Sequence, residues 1–174
     1  WASVMTLLRK DLLLEWRTRE VLLPALVLGL IVTVIFQVGL PRGPDGQAMG
    51  AAGALWVALL FAGTLAQGRA FAAEMEVGGL ISLRAAPVDL GAVYVAKWLG
   101  TSAAASLILL GLLPGFTVWL GLPPQRLPLV AAIALLGLAA WCAAGTLVAA
   151  LSVSSRAREA LLPVLGFPLA LPLL

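Results

Sequence analysis

Of the 174 residues, 19 are charged (11 Lys and Arg, 8 Asp and Glu), and they gather in a few clusters that leave five stretches with none: 21–41, 46–68, 98–125, 127–155 and 160–174. A helix needs about 20 predominantly apolar residues to cross a hydrocarbon layer about 30 Å thick, at about 1.5 Å per residue. Four stretches are long enough. The fifth runs to residue 174 without reaching that length, which gives the expectation that the rest of a span is missing from this chain. Soluble domains carry roughly 25% charged residues; here the figure is 11%, with 62% hydrophobic residues and a mean hydropathy of +1.08. The pattern predicts an all-α polytopic membrane protein.

Counting basic residues on alternate sides of these spans gives an orientation. Arg9, Lys10, Arg17 and Arg19 precede the first span, Arg69, Arg84 and Lys97 lie between the second and third, and Arg156 and Arg158 between the fourth and fifth. The two remaining loops hold only Arg42 and Arg126. Nine against two predicts a cytoplasmic amino terminus. The charged leader Trp1–Arg19 runs straight into a full-length span with no small-residue cleavage site, so it reads as an anchor rather than a cleaved signal. The net charge of +3 follows from this bias; no basic stripe interleaved with aromatics marks a nucleic-acid surface.

Residues 1–174 read as a single transmembrane domain with spans at about 21–40, 50–68, 92–120, 128–152 and, incompletely, 160–174. Ahead of them, 4–20 reads as a helix in the membrane interface: Thr6, Arg9, Lys10 and Arg17 form a polar stripe, and Leu7, Leu8, Leu12, Leu14 and Trp16 occupy most of the rest. Asp11 and Glu15 break the pattern, one turn apart among apolar positions, and need protein partners, with inner-loop arginines as candidates. The outer connections, Pro41–Met49 and Gly121–Pro128, are short and rich in Gly and Pro, as tight turns between antiparallel helices require. The inner segment 69–91 is a helix-like stretch broken at Gly78-Gly79 and Pro87, with Asp89 placed to cap the helix that follows. In the fourth span Ala139/Ala143, Ala140/Ala144 and Gly145/Ala149 repeat small residues four apart, a face suited to close helix packing. Pro24, Pro114, Pro163, Pro168 and Pro172 each remove a backbone donor and can kink a span.

The chain contains no histidine, hence neither the commonest metal ligand nor the commonest general base. No G-x-x-x-x-G-K-[ST] sequence is present to cradle nucleotide phosphates. Lone Cys142 supports neither a disulfide nor a CxxC motif. Met5, Met49, Met75, Tyr94 and Cys142 are the remaining candidate haem ligands, each better accounted for structurally. No charge interrupts a complete span, which disfavours an ion-coupled secondary transporter.

Glu74-x-Glu76-x-Gly78-Gly79-Leu80, then Leu83, Ala86-Pro87 and Lys97, resembles the inner loop of ABC-2-type permeases. Leu8-Arg9-Lys10-Asp11-Leu12-x-x-x-x-Arg17, Ala54-Leu55-Trp56-Val57-Ala58-Leu59-Leu60, and Leu161-Leu162-Pro163 through Pro168 and Pro172 extend the likeness in order from about residue 7 to the end. Together these motifs resemble the CcmB family, the permease subunits of the cytochrome c maturation system. Gly79 departs from the small hydroxyl residue common there.

The resemblance implies six spans, of which five are visible here. It further implies a non-catalytic permease subunit of the bacterial inner membrane, which couples ATP hydrolysis by a separate CcmA-like ATPase to haem handling or to release of the haem-loaded chaperone CcmE. CcmC-like and CcmD-like membrane proteins and membrane lipid are the other expected partners. ATP binds the partner subunit, haem is a candidate ligand of the complex, and this chain itself holds no cofactor or metal. The expected ATPase-coupling surface is Glu74, Glu76, Gly78, Gly79, Leu80, Leu83, Arg84 and Pro87, with a short docking helix over 80–86; Arg9, Lys10, Asp11 and Arg17 mark the interfacial helix. An ABC-2 permease for a drug, lipid or polysaccharide, a small secondary transporter and a structural membrane subunit are the alternatives. The absent histidines favour a mechanical role over haem carriage.

Overall fold

The computed structural model describes residues 2–39, 44–76, 89–119 and 121–152. Five α-helices account for most of them: α1 (Ala2–Thr18), α2 (Leu22–Gly39), α3 (Pro44–Glu76), α4 (Leu90–Trp119) and α5 (Leu127–Ser152). A 3-10 turn, Pro124–Arg126, leads into α5.

Among the described residues, four helices are long and apolar enough to cross a membrane, over Leu22–Gly39, Gly50–Gly68, Gly91–Trp119 and Pro124–Ala150. This makes the chain a polytopic, all-helical membrane protein. The expected fifth span, 160–174, lies outside the described residues.

Helix α4 is the hub, packing against α1, α2, α3 and α5. The core is small-grained on one side and bulky on the other. Ala51, Ala54, Ala58, Ala62 and Ala66 line one stripe of α3, three or four residues apart, and they meet Ile108, Leu109, Leu112 and Phe116 of α4 and Leu138 and Cys142 of α5. Small side chains let helix backbones approach closely, which matters in lipid because water no longer drives apolar surfaces together. The outward faces are correspondingly greasy: Leu23, Val27, Ile31, Val34, Ile35 and Val38 of α2 and Leu129, Ile133, Leu136 and Leu147 of α5 are exposed. An apolar surface that extensive suits hydrocarbon rather than water.

One helix end differs from the sequence expectation. Residues 44–49, read as part of an outer turn, already belong to α3, which starts on Pro44; a proline in the first turn forfeits only an N–H that would have no helical partner. At 33 residues α3 measures about 50 Å, well beyond a hydrocarbon layer of about 30 Å. Helix α4 starts at Leu90, close to the expected start of the third span at about 92 and directly after the expected cap Asp89, and it continues through Pro114.

Turns follow local chemistry. Asp89 Oδ1 accepts from the Gly91 N–H at 3.1 Å, and the Asp89 carbonyl accepts from Ala92 and Val93, so Asp89 is the cap of α4. After α4 the chain reverses at Gly121, whose φ of 64° is a left-handed conformation that glycine adopts freely. The Leu122 N–H then donates back to the Phe116 carbonyl at 3.2 Å.

Candidate functional site

Of the expected coupling residues, Glu74 and Glu76 stand in the last turn of α3. Gly78, Gly79, Leu80, Leu83, Arg84 and Pro87, and with them the expected docking helix, lie outside the described residues. The four interfacial residues are all on α1, and there the structure brings together a site that the sequence reading only half anticipated.

Helix α1 turns Val4, Leu8, Asp11 and Glu15 towards the bundle and leaves Arg9, Lys10 and Arg17 exposed, with Met5, Leu13, Leu14 and Trp16. Asp11 Oδ2 accepts from Lys97 Nζ of α4 at 2.8 Å, while Lys10 Nζ stands 3.4 Å from Asp11 Oδ1. Lys97 is only 2% exposed. Glu15 Oε1 accepts from the backbone N–H groups of Val21 and Leu22, both at 3.0 Å, and so caps the start of α2 from the preceding helix. The first N–H groups of a helix have no partner within it, and a carboxylate satisfies them with the added benefit of the helix dipole. Between the helices Arg19 takes a left-handed φ of 53°, which turns the chain sharply.

The partners of Asp11 and Glu15 are therefore a lysine of α4 and two backbone amides, and not arginines of an inner loop. The expectation that no charge lies within a complete span is also corrected, because the span Gly91–Trp119 contains Lys97. Both errors have one cause. The charge-free run from residue 98 marks the hydrocarbon-facing length, whereas Asp89 starts the helix two turns earlier and carries Lys97 into the packed interior. An ion in such surroundings is tolerated only with an oppositely charged or hydrogen-bonding partner. The available signal was the pair of misplaced carboxylates on α1, which demanded a cation at the mouth of a span.

Beneath this junction lies an uncharged polar seam between α3, α4 and α5. Three carbonyls of α5 accept from side chains of its neighbours. Trp98 Nε1 donates to Ala139 at 2.9 Å, Gln67 Nε2 to Trp141 at 3.3 Å and the Tyr94 hydroxyl to Ala143 at 3.0 Å. Thr146 Oγ1 donates to the Cys142 carbonyl at 2.6 Å and faces Thr101 Oγ1 at 3.5 Å. The small-residue repeat explains why these carbonyls are within reach: Ala139, Ala143 and Gly145 leave the α5 backbone uncovered. A methyl group on Gly145 would run into the Gln67 amide. Tyr94 and Cys142, two of the candidate haem ligands, are occupied structurally here, Cys142 being fully buried. No group of three His, Cys, Asp or Glu side chains comes together among the described residues.

Comparison with known proteins gives a consistent result. The sequence matches the CcmB protein family over residues 2–174. It is 35% identical over 170 residues to heme exporter protein B of Rhodobacter capsulatus, and 36% identical over 174 residues to the protein of that name from Paracoccus denitrificans; each match covers 97% of this chain and 77% of the relative. Heme exporter protein B of Pseudomonas aeruginosa is 31% identical over 170 residues, covering 97% and 75%. A match along the whole described bundle, together with four membrane-crossing helices, places this chain in the CcmB protein family.

Proposed function

We propose that this chain is the permease subunit of a haem-exporting ABC transporter of cytochrome c maturation, in the bacterial inner membrane with its amino terminus in the cytoplasm. The observation that carries the proposal is the match, over 97% of this chain, to relatives named heme exporter protein B, together with the four helices among the described residues that are long and apolar enough to cross a membrane.

The chain hydrolyses no ATP itself. It has no phosphate-cradling loop and no histidine to serve as a general base. A separate CcmA-like ATPase supplies the energy, with CcmC-like and CcmD-like proteins as further membrane partners. The length of α3 beyond the hydrocarbon suits ATPase coupling: the helix continues through Glu74 to Glu76, at the end that the basic residues assign to the cytoplasm. Gly78, Gly79, Leu80, Leu83, Arg84 and Pro87, singled out by their likeness to the ABC-2 inner loop, are the further candidates for the docking surface.

Haem is the cargo of the complex rather than a resident cofactor of this subunit. Zero histidines among 174 residues, and a Tyr94 hydroxyl already donated to Ala143, favour a mechanical role that releases haem-loaded CcmE. Purified permease is expected to show no stoichiometric Soret absorption; a Soret band retained through detergent washing refutes the mechanical role. The coupling assignment is tested by E74K/E76K, expected to reduce ATPase co-purification at least fivefold with membrane insertion intact. Unchanged recovery of the ATPase overturns it.

A further inference from the structure

Helix α1 is held at both of its neighbours by carboxylates. Asp11 fixes it to α4 through Lys97 at 2.8 Å, and Glu15 fixes it to the start of α2 through the amides of Val21 and Leu22 at 3.0 Å each. Lys97 is the eighth residue of α4, about 10 Å along the axis from its first residue. The segment 69–88 enters α4 at that end through the Asp89 cap. Arg19, at φ 53°, is the corner on which α1 and α2 would otherwise swing.

We infer that Asp11, Lys97 and Glu15 form a clasp that makes α1 move as one body with the N-terminal turns of α2 and α4. Displacement at the start of α4 is then passed through α1 to α2. This role rests on the ATPase-coupled reading above and adds a transmission path to it; Asp11, Lys97 and Glu15 are positioning residues, touching neither nucleotide nor cargo.

Two properties make the clasp suited to transmission rather than to simple anchoring. The Lys97 ammonium, on a residue only 2% exposed, is 2.8 Å from Asp11, and separating a buried ion from its partner carboxylate is costly, so the link resists shear. The Glu15 link is to backbone, so it transmits to the α2 helix axis and not to one flexible side chain. Leu8 and Asp11 lie against Gly100, so the same face of α1 is in direct contact with α4 one turn beyond Lys97.

The test uses the permease co-expressed with its ATPase and reconstituted in phospholipid vesicles. D11N, and the charge-free pair D11N/K97Q, are expected to insert and to retain the ATPase, while permease-stimulated ATP turnover falls at least fivefold with KM for ATP unchanged. D11E, which keeps the charge, is expected to retain at least half of that turnover. Turnover within twofold of wild type in either neutral variant overturns the clasp. A second measurement does not depend on the neutral variants folding. In L8C/G100C, a short reversible thiol cross-linker across α1 and α4 is expected to leave turnover unchanged. Turnover lost on cross-linking and regained on reduction shows that α1 must slide on α4, and overturns the proposal. Failure of the wild-type chain to retain the ATPase would instead count against the coupled function itself, so the two readings fail separately.

Discussion

The junction of α1, α2 and α4 and the seam between α3, α4 and α5 solve one problem in opposite ways. Both bring polar groups into apolar surroundings. At the junction the solution is ionic: Asp11 meets buried Lys97, and Glu15 meets the amides of α2. In the seam the contacts among the described residues are between neutral groups, and most of the acceptors are carbonyls of α5 already engaged in its helix. A carbonyl oxygen has two lone pairs, so it takes a second donor without giving up its helical bond. The seam is thus spread over several weak contacts, each replaceable, while the junction concentrates its strength in two carboxylates. A region that must stay fixed through many small sequence changes is well served by the first arrangement. A region that must act as a single connection is served by the second.

The sharpest way to break this contrast is charge reversal at the junction. D11K places a second ammonium against Lys97, and unfolding in detergent is expected to show a loss of about 3–5 kcal/mol. A loss below about 1 kcal/mol would put Asp11 in the same class as the neutral seam. Next comes G145A, which forces the Gln67 side chain off the α5 backbone; a loss of about 1–3 kcal/mol is expected by the same measurement. The smallest effect belongs to W98F, which removes one hydrogen bond but keeps most of the ring. Interhelical hydrogen bonds in membranes average about 0.6 kcal/mol, and the expected loss is of that order. A much larger value would mean that the seam is cooperative and not a sum of small terms.

The legibility of the sequence divides along the same line. Charge-free runs reveal helices because lipid leaves few alternatives, and the helical membrane class followed from them directly. Asp89 was identifiable as a cap because carboxylate capping is local, decided within three residues. The small residues of α5 signalled close packing for a similar reason. Lys97 was not legible as a buried partner, since its place depends on α1, 86 residues earlier in the chain. Glu15 was visible as an anomaly without its solution, because the amides it caps exist only once the chain turns at Arg19. Long-range pairing has no periodicity to betray it, and the surplus charge on an apolar face is the only trace it leaves. The expected coupling residues from Gly78 to Pro87 were singled out by motif, and they lie past the described end of α3.

The two carboxylates of α1 also become satisfied at different times as the chain is made. Glu15 reaches its amides across six and seven residues, so its bonds close as soon as α2 begins. Asp11 must wait for a residue synthesised 86 positions later. Until α4 is inserted, Lys10 beside it is the ammonium within reach, and that neighbour is half-exposed. The Asp11 link to the bundle therefore closes only once the third crossing has been made, so full seating of α1 requires α2, α3 and α4 to be in place.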